Sequence, residues 1–153
     1  MDLDQKFMKL AICQAQKAKE MDEVPIGAIA VLDGKVIARA HNTREKTGNA
    51  LNHAEVLAIQ KACKKVGNWR LDEVTLYVTI EPCPMCMGSM LNARLKRLVY
   101  GADDKKGGAC GTLYNLNDGK YNHTISVTKG VLKDDCANII RTYFEDKRRK
   151  NKC

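Results

Sequence analysis

Nowhere in this chain do apolar residues run for the roughly 18 positions that a membrane-crossing helix requires, which excludes the functions that depend on one. The opening residues, Met1-Asp2-Leu3-Asp4-Gln5-Lys6, lack the basic patch and apolar stretch of a secretory signal, so a cytoplasmic protein is expected. No disulfide framework is written into the sequence either. Its seven cysteines are odd in number and scattered, which suits reduced thiols. Internal repeats, linkers and low-complexity segments are missing too, and the expectation is one domain over residues 1–153. A chain of this length buries about 70% of the surface it exposes when unfolded, enough for a core of its own.

What is present is ordinary in bulk, with 44% hydrophobic and 29% charged residues. The sign of the charge is less ordinary: 26 basic residues stand against 18 acidic ones, a net charge of +8. Five of the basic residues, Lys147, Arg148, Arg149, Lys150 and Lys152, fall in a tail of about 147–153; without them, 21 against 18 leaves only +3. Such a cluster suggests a polyanionic partner, because Lys and Arg displace counterions from phosphates. The plainer reading is a solvated, frayed basic end.

Hydrophobic spacing lays out the elements. Leu3, Phe7, Leu10, Ala11, Ala15 and Ala18 recur as one face of an opening helix that runs to about Glu20. Two short apolar runs, 27–32 and 35–40, flank Asp33-Gly34, a strong hairpin turn. Residues 41–51 read as a loop, and a helix follows from after Asn52 to about Lys65. The run 74–80 is nearly continuously apolar, as a central strand is. A helix from Pro84 to about Ala93, a strand over 97–100, a glycine-spotted loop over 103–121 and a short strand over 124–127 come next. A closing helix runs from Lys133 to about Arg149, with Ile139, Ile140, Tyr143 and Phe144 as its apolar side. Together these predict an α/β fold, a three-layer α/β/α sandwich around a mixed central sheet.

Two short segments carry the chemistry. Asn52-His53-Ala54-Glu55 supplies one imidazole, and Glu81-Pro82-Cys83-Pro84-Met85-Cys86, thirty residues on, supplies two thiols. His53, Cys83 and Cys86 are three ligands of the kind that hold a catalytic zinc ion with its fourth position open to water. Glu55 stands two residues beyond His53, placed to move protons beside that water without binding the metal. Glu81 precedes a proline and should extend the strand before it. Pro84 suits the first helical position, making Cys83 the N-cap and Cys86 the third residue of the helix. Backbone N–H groups at that helix end should lower both thiol pKa values. Each segment alone has a blander reading. C-x-x-C between strand and helix also marks thioredoxin-like redox proteins and structural zinc sites. Asn52 to Glu55 also forms a capping box. The two together match the H-x-E…P-C-x-x-C pattern of zinc deaminases.

Most of the chain, roughly Asp4 to Lys147, resembles bacterial tRNA-specific adenosine deaminases of the TadA type. The resemblance runs through Glu23-Val24-Pro25-Ile26-Gly27-Ala28, both motif segments, Tyr100-Gly101-Ala102-Asp103-Asp104-Lys105-Lys106-Gly107-Gly108-Ala109 and the basic closing helix. It implies a cytidine-deaminase-like sandwich, a homodimer, one Zn2+ per subunit, and conversion of a wobble adenosine to inosine in the anticodon stem-loop of an arginine-type tRNA. It also implies that Asn42 hydrogen-bonds the flipped purine, that the Ala54 backbone faces the base, that Val24 and Pro25 edge the pocket, and that Asp104 lies near the target nucleotide. Lys106, Lys147, Arg148, Arg149 and Lys150 would meet RNA. Read on its own residues, Asn42 is a turn residue and Asp104 a solvated charge. The chain departs from the family pattern at Arg44, where proline is frequent, at Asp103, commonly arginine, and at Asn49-Ala50-Leu51. Two alternatives remain open at this point: a free-base or nucleoside deaminase for guanine, cytosine or cytidine, and a non-catalytic zinc or RNA-binding module.

Overall fold

The computed structural model describes residues 2–151, so Met1, Lys152 and Cys153 lie outside the described residues. The first helix, α1 (Leu3–Glu20), starts where the Asp2 carboxylate accepts a hydrogen bond from the Gln5 N–H at 2.8 Å. Phe7, Met8, Ala11, Ala15 and Ala18 form its buried face, whereas Leu3, expected on that face, is 64% exposed at the open end of the helix. Strands β1 (Gly27–Leu32) and β2 (Lys35–His41) make the expected hairpin. Asp33 and Gly34 both take positive φ, 52° and 75°, as a turn matching the strand twist requires.

The segment read as a loop over 41–51 differs: His41 completes β2, and Arg44–Thr47 form a short helix, α2. No local pattern announces α2, because a distant carboxylate caps it (below). Helix α3 (Ala54–Val66) is followed by strand β3 (Thr75–Ile80), helix α4 (Pro84–Asn92) and strand β4 (Arg97–Ala102). Glu81 lies just beyond β3 rather than in it, although its N–H still donates to the Ala102 carbonyl at 2.8 Å. Strand β5 is Ser126–Lys129, two residues later than its composition suggested, and α5 (Lys133–Asn151) closes the chain. Among the described residues, no helix is long and apolar enough to cross a membrane.

The sheet order is β2-β1-β3-β4-β5. Strands β2, β1 and β3 pair antiparallel, and β3, β4 and β5 pair parallel, so the sheet is mixed as expected. Alternation along the strands serves two cores. Ala28, Ala30, Leu76, Val78 and Leu98 face the layer of α3 and α4. Ile29, Val31, Tyr77 and Val99 face Phe7 and Met8 of α1 and Cys136 of α5. Both faces are buried, which is why the central strands read as continuous apolar runs. The α/β/α sandwich is the observed architecture. Gly27 is required by the tight approach of β1 to α1, since a Cβ there would lie 2.0 Å from the Ala11 carbonyl oxygen.

One polar network fastens α1 across the parallel edge. The Arg97 guanidinium grips both oxygens of Asp4, at 2.9 and 2.7 Å, and reaches the Thr128 hydroxyl at 2.9 Å. The Tyr77 hydroxyl donates to the same Asp4 carboxylate at 2.8 Å. The hydrogen bond from Arg97, opposed by partial burial and helped by Tyr77, holds the Asp4 pKa below its usual value. Asp4→Asn should therefore cost about 1–2 kcal/mol at neutral pH. A depressed carboxyl pKa stabilises the fold above its unfolded value and loses that contribution as pH falls through the folded one. Denaturant unfolding should show the gap between wild type and Asp4→Asn narrowing as pH is lowered from 7 to 3; a constant gap would remove the ion pair as its cause.

Candidate active site

Two helix starts build the site. His53 is the N-cap of α3, with extended backbone, and Cys83 is the N-cap of α4, with Pro84 at the first helical position as predicted. The capping-box reading fails by one residue: Asn52 lies outside the helix, its amide donating instead to the Thr47 hydroxyl at 2.9 Å. Glu55 is thereby the second helical residue, not the third, and its carboxylate is released from capping. The His53 Nδ1 lies 3.6 Å from the Cys83 sulfur and 3.5 Å from that of Cys86. All three ligand atoms fall within 4.8 Å of one another. The described cysteines are free thiols.

Electrostatics separates the two thiols, correcting the expectation that both would be acidified. A hydrogen bond from Cys86, opposed by burial and assisted by His53, holds the Cys83 pKa down at about 4. Donating that bond and being buried push Cys86 in the opposite direction. The same Cys83 sulfur raises the His53 pKa against its burial, with Glu55 adding to the rise. Burial above all pushes Glu55 up to about 7. Glu55 is 2% exposed, and its Oε1 has no hydrogen-bond partner within the protein. A buried orphan oxygen beside an imidazole and two sulfurs is what a metal with bound water would satisfy, and an N/S donor set suits zinc.

Two adjoining grooves open on the surface, sharing Val24 and Phe144, and neither is lined by His53, Glu55, Cys83 or Cys86. One, about 390 Å³, is lined by Val24, Asn42, Arg44, Phe144 and Lys147 among others. The second, about 490 Å³, shares Val24 and Phe144 and adds Ile26, Asp103, Asp104, Lys105, Lys106 and Arg141. The structure therefore gathers Val24, Asn42, Asp104, Lys106 and Lys147 along one surface. Pro25 and Ala54 are buried and line neither groove. Asn42 is committed at both poles: its Nδ2 donates to the Val24 carbonyl at 3.3 Å, and its Oδ1 accepts from the Arg44 N–H at 3.1 Å. Proline in place of Arg44 could not make the second bond. The Asp104 Oδ1 turns back to accept from the Lys106 and Gly107 N–H groups, at 3.0 and 3.2 Å, rather than being merely solvated. Asp103 pairs with Lys133 at 3.5 Å.

The basic end is helix rather than frayed tail, continuing through Asn151. Lys147 is tied to Asp22 at 2.9 Å, and Arg149 bonds to Asp146 one turn back. Arg148 and Lys150 are exposed. Tyr143 is buried, whereas Phe144, expected in the core, is 42% exposed and lines both grooves. Two buried carboxylates escaped the sequence reading. Glu23, 1% exposed, accepts from the Glu45 and Lys46 N–H groups at 3.0 and 2.6 Å and so caps α2. Glu81, also 1% exposed, is bonded to the loop after β4. Their partners lie 22 to 31 residues away, beyond any local signal.

Residues 1–148 match the family of MafB19-like deaminases, which puts the molecule in the deaminase class of enzymes. It is 48% identical over 153 residues to the tRNA-specific adenosine deaminase of Bacillus subtilis (strain 168), covering 99% of this chain and 95% of that one. The chain belongs to the tRNA-specific adenosine deaminase family. A solved structure from work on A-to-I editing by tRNA:A34 deaminases matches with TM-score 0.84 and 43% identity, over 88% of this chain and 98% of the other. Guanine deaminase from Bacillus subtilis matches with TM-score 0.61 and 40% identity, over 64% of this chain and 63% of the other.

The donor set makes a direct prediction. Cys86→Ala should weaken zinc binding by more than the roughly 10–100-fold that loss of an outer partner costs, whereas Glu55→Gln should keep full metal content. Metal analysis after dialysis against a graded chelator checks both; a Cys86→Ala protein that retains zinc as wild type does would dismantle the site.

Proposed function

We propose that this chain converts the wobble adenosine of a tRNA anticodon stem-loop, of the arginine type, to inosine, acting over its whole length as one zinc-dependent deaminase domain. The observation that carries the reading is the unpartnered, buried Glu55 Oε1 beside His53, Cys83 and Cys86. The name borne by the 48% identical relative supports the choice of substrate. His53, Cys83 and Cys86 would hold one zinc ion, which when bound acidifies water at its open position.

The chain's own groups do the rest. Glu55 accepts a proton from the attacking water and delivers it to a ring nitrogen of the purine, making the amidine carbon electrophilic. Water oxygen adds at that carbon, Glu55 moves a proton to the exocyclic amine, and the carbon–nitrogen bond breaks to release ammonia. Adenosine and water become inosine and ammonia, and Glu55 ends as it began. Burial of the carboxylate keeps competing water away from it. Asn42 retains one N–H and one lone pair for the purine after its two backbone bonds. Val24 and Pro25 would edge the pocket, the Ala54 backbone would face the base, and Asp104 would lie near the target nucleotide. Lys106, Arg148 and Lys150 are exposed and would meet phosphates, while Lys147 and Arg149 would add to the field from their intrachain pairs.

A homodimer goes with this reading, supported by exposed Leu113, Tyr114, Leu116 and Tyr121, at 50%, 56%, 37% and 42% exposure, on the loop after β4. A cytoplasmic place follows from a tRNA substrate and suits the free thiols. A second reading, deamination of free guanine, is favoured by the likeness to the Bacillus subtilis guanine deaminase.

An assay separates the two. The zinc-loaded protein is offered an arginine tRNA stem-loop with a wobble adenosine and, in parallel, adenosine, guanine, cytosine and cytidine. Inosine should appear from the stem-loop alone; guanine turnover beside an untouched stem-loop would shift the substrate to the free base. In the same assay Glu55→Gln should lower turnover by at least about 100-fold, the lower range of general acid–base contributions. Replacing Arg148 and Lys150 by glutamine should weaken stem-loop binding and flatten the slope of log affinity against log salt by about 1–2. An unchanged slope would exclude the end of α5 from the RNA interface.

A further inference from the structure

The chemistry described above leaves Glu81 unused, although it is as deeply buried as any carboxylate in the described chain. Its side chain takes no part in the ligand cluster. Instead it turns into the loop that follows β4. Oε1 accepts from the Asp104 N–H at 3.1 Å and from the Thr112 hydroxyl. Oε2 accepts from the Cys110 and Thr112 N–H groups at 3.0 and 3.1 Å. Gly108 covers the carboxylate so closely that a Cβ there would stand 2.5 Å from Glu81 Cδ and 2.5 Å from the Asp104 carbonyl oxygen. The loop also grips the backbone beside Glu81, since the Ala109 N–H donates to the Pro82 carbonyl at 2.8 Å. Three amides from separate points of the loop converge on one anion, here a side chain of the protein itself. Burial works to raise the carboxyl pKa, but the Thr112 hydroxyl and the three N–H groups more than offset it and leave it lowered.

The consequence lies in what the loop carries and where Glu81 stands. Asp104, Lys105 and Lys106 line the larger groove beside Phe144. Glu81 is two residues from the metal-ligand Cys83. The Glu81 side chain, together with the Ala109–Pro82 backbone bond, therefore ties the turn that would hold the metal to the loop that would hold the nucleic acid.

We infer that Glu81 is a positioning residue for the substrate, ordering the 104–112 loop against the ligand turn so that the groove is shaped before RNA arrives. The inference rests on the tRNA reading above for the identity of the substrate. Preorganisation of this kind appears in affinity, because a loop that must be ordered on binding subtracts its entropy from the interaction.

Glu81→Gln keeps the size, removes the charge and turns one acceptor into a donor aimed at N–H groups. The zinc-loaded variant should retain its metal content and far-UV spectrum. Amide exchange at Asp104, Cys110 and Thr112 should quicken by at least about tenfold. KM for the stem-loop should rise by about tenfold with kcat within about threefold of wild type. Thr112→Val, which removes only the hydroxyl that donates to Glu81, should move exchange and KM in the same direction to a smaller extent and carries the test if Glu81→Gln fails to fold. Glu81→Asp retains the charge and should recover part of the loss. Unchanged exchange rates would overturn the inference, as would a fall in kcat at constant KM with loss of zinc, which would make Glu81 a support for the metal turn alone. If wild type leaves the stem-loop untouched, the substrate reading falls by itself, and the exchange rates still decide whether Glu81 orders the loop.

Discussion

Everything in this molecule depends on bringing one imidazole and two sulfurs from segments thirty residues apart to within 4.8 Å of one another. The sheet makes that possible. Strand β3 pairs antiparallel with β1 on one side and parallel with β4 on the other, and α3 and α4 pack together on one face. Open α/β sheets place their sites beyond the carboxyl ends of strands, and Cys83 stands three residues past the end of β3. Both ligand segments are N-caps, so each helix presents unpaired N–H groups where negative charge has to be stable. A second core, between α1, α5 and the opposite face, buries the other side of the same sheet.

Burying carboxylates is costly unless each oxygen is satisfied, and this chain resolves that cost in two different ways. Glu23 is satisfied by backbone N–H groups and Glu81 by backbone N–H groups and the Thr112 hydroxyl; the first caps α2 beside Asn42, and the second holds the loop of Asp104. Glu55 is not satisfied. An unmet demand among met ones singles out the carboxylate left free for the proposed proton exchange, because one locked by four donors, as Glu81 is, could not also take a proton from water and give it up again.

The same contrast explains what the sequence showed and what it hid. Information carried by spacing was legible: the i, i+4 face of α1, the Asp33-Gly34 turn, the strand-to-helix step at Cys83-Pro84, and the α/β/α order. Where a proline marked the helix start, its N-cap was read to the residue; where none did, at Asn52-His53, the reading slipped by one and Glu55 looked like a cap. Phe144 was placed in the core because periodicity on α5 gives a face, not its edge; Tyr143 turns in to donate to Asp22, and its neighbour turns to the groove. Helix α2, the anchoring by Glu81 and the Lys147–Asp22 pair were invisible because their partners are 22 to 125 residues away. The opposite shifts of Cys83 and Cys86 were hidden for a different reason: they arise from the hydrogen bond between the two sulfurs and from burial, neither of which spacing along the chain reveals.

Depth finally constrains the substrate. Glu55 and Ala54 are almost fully enclosed, while the cationic and aromatic groups of the grooves lie open at the surface. A base stacked inside a duplex could not reach that carboxylate, so the reacting base has to leave its stack and enter alone, with its neighbours left outside. Those neighbours would meet Phe144 and the lysines, surfaces able to stack on bases and neutralise phosphates without reading an extended sequence. A single-stranded loop already lacks the pairing that would have to be broken. A loop nucleotide meets that demand at the lowest cost, because only stacking, and no base pair, has to be given up before the base reaches Glu55.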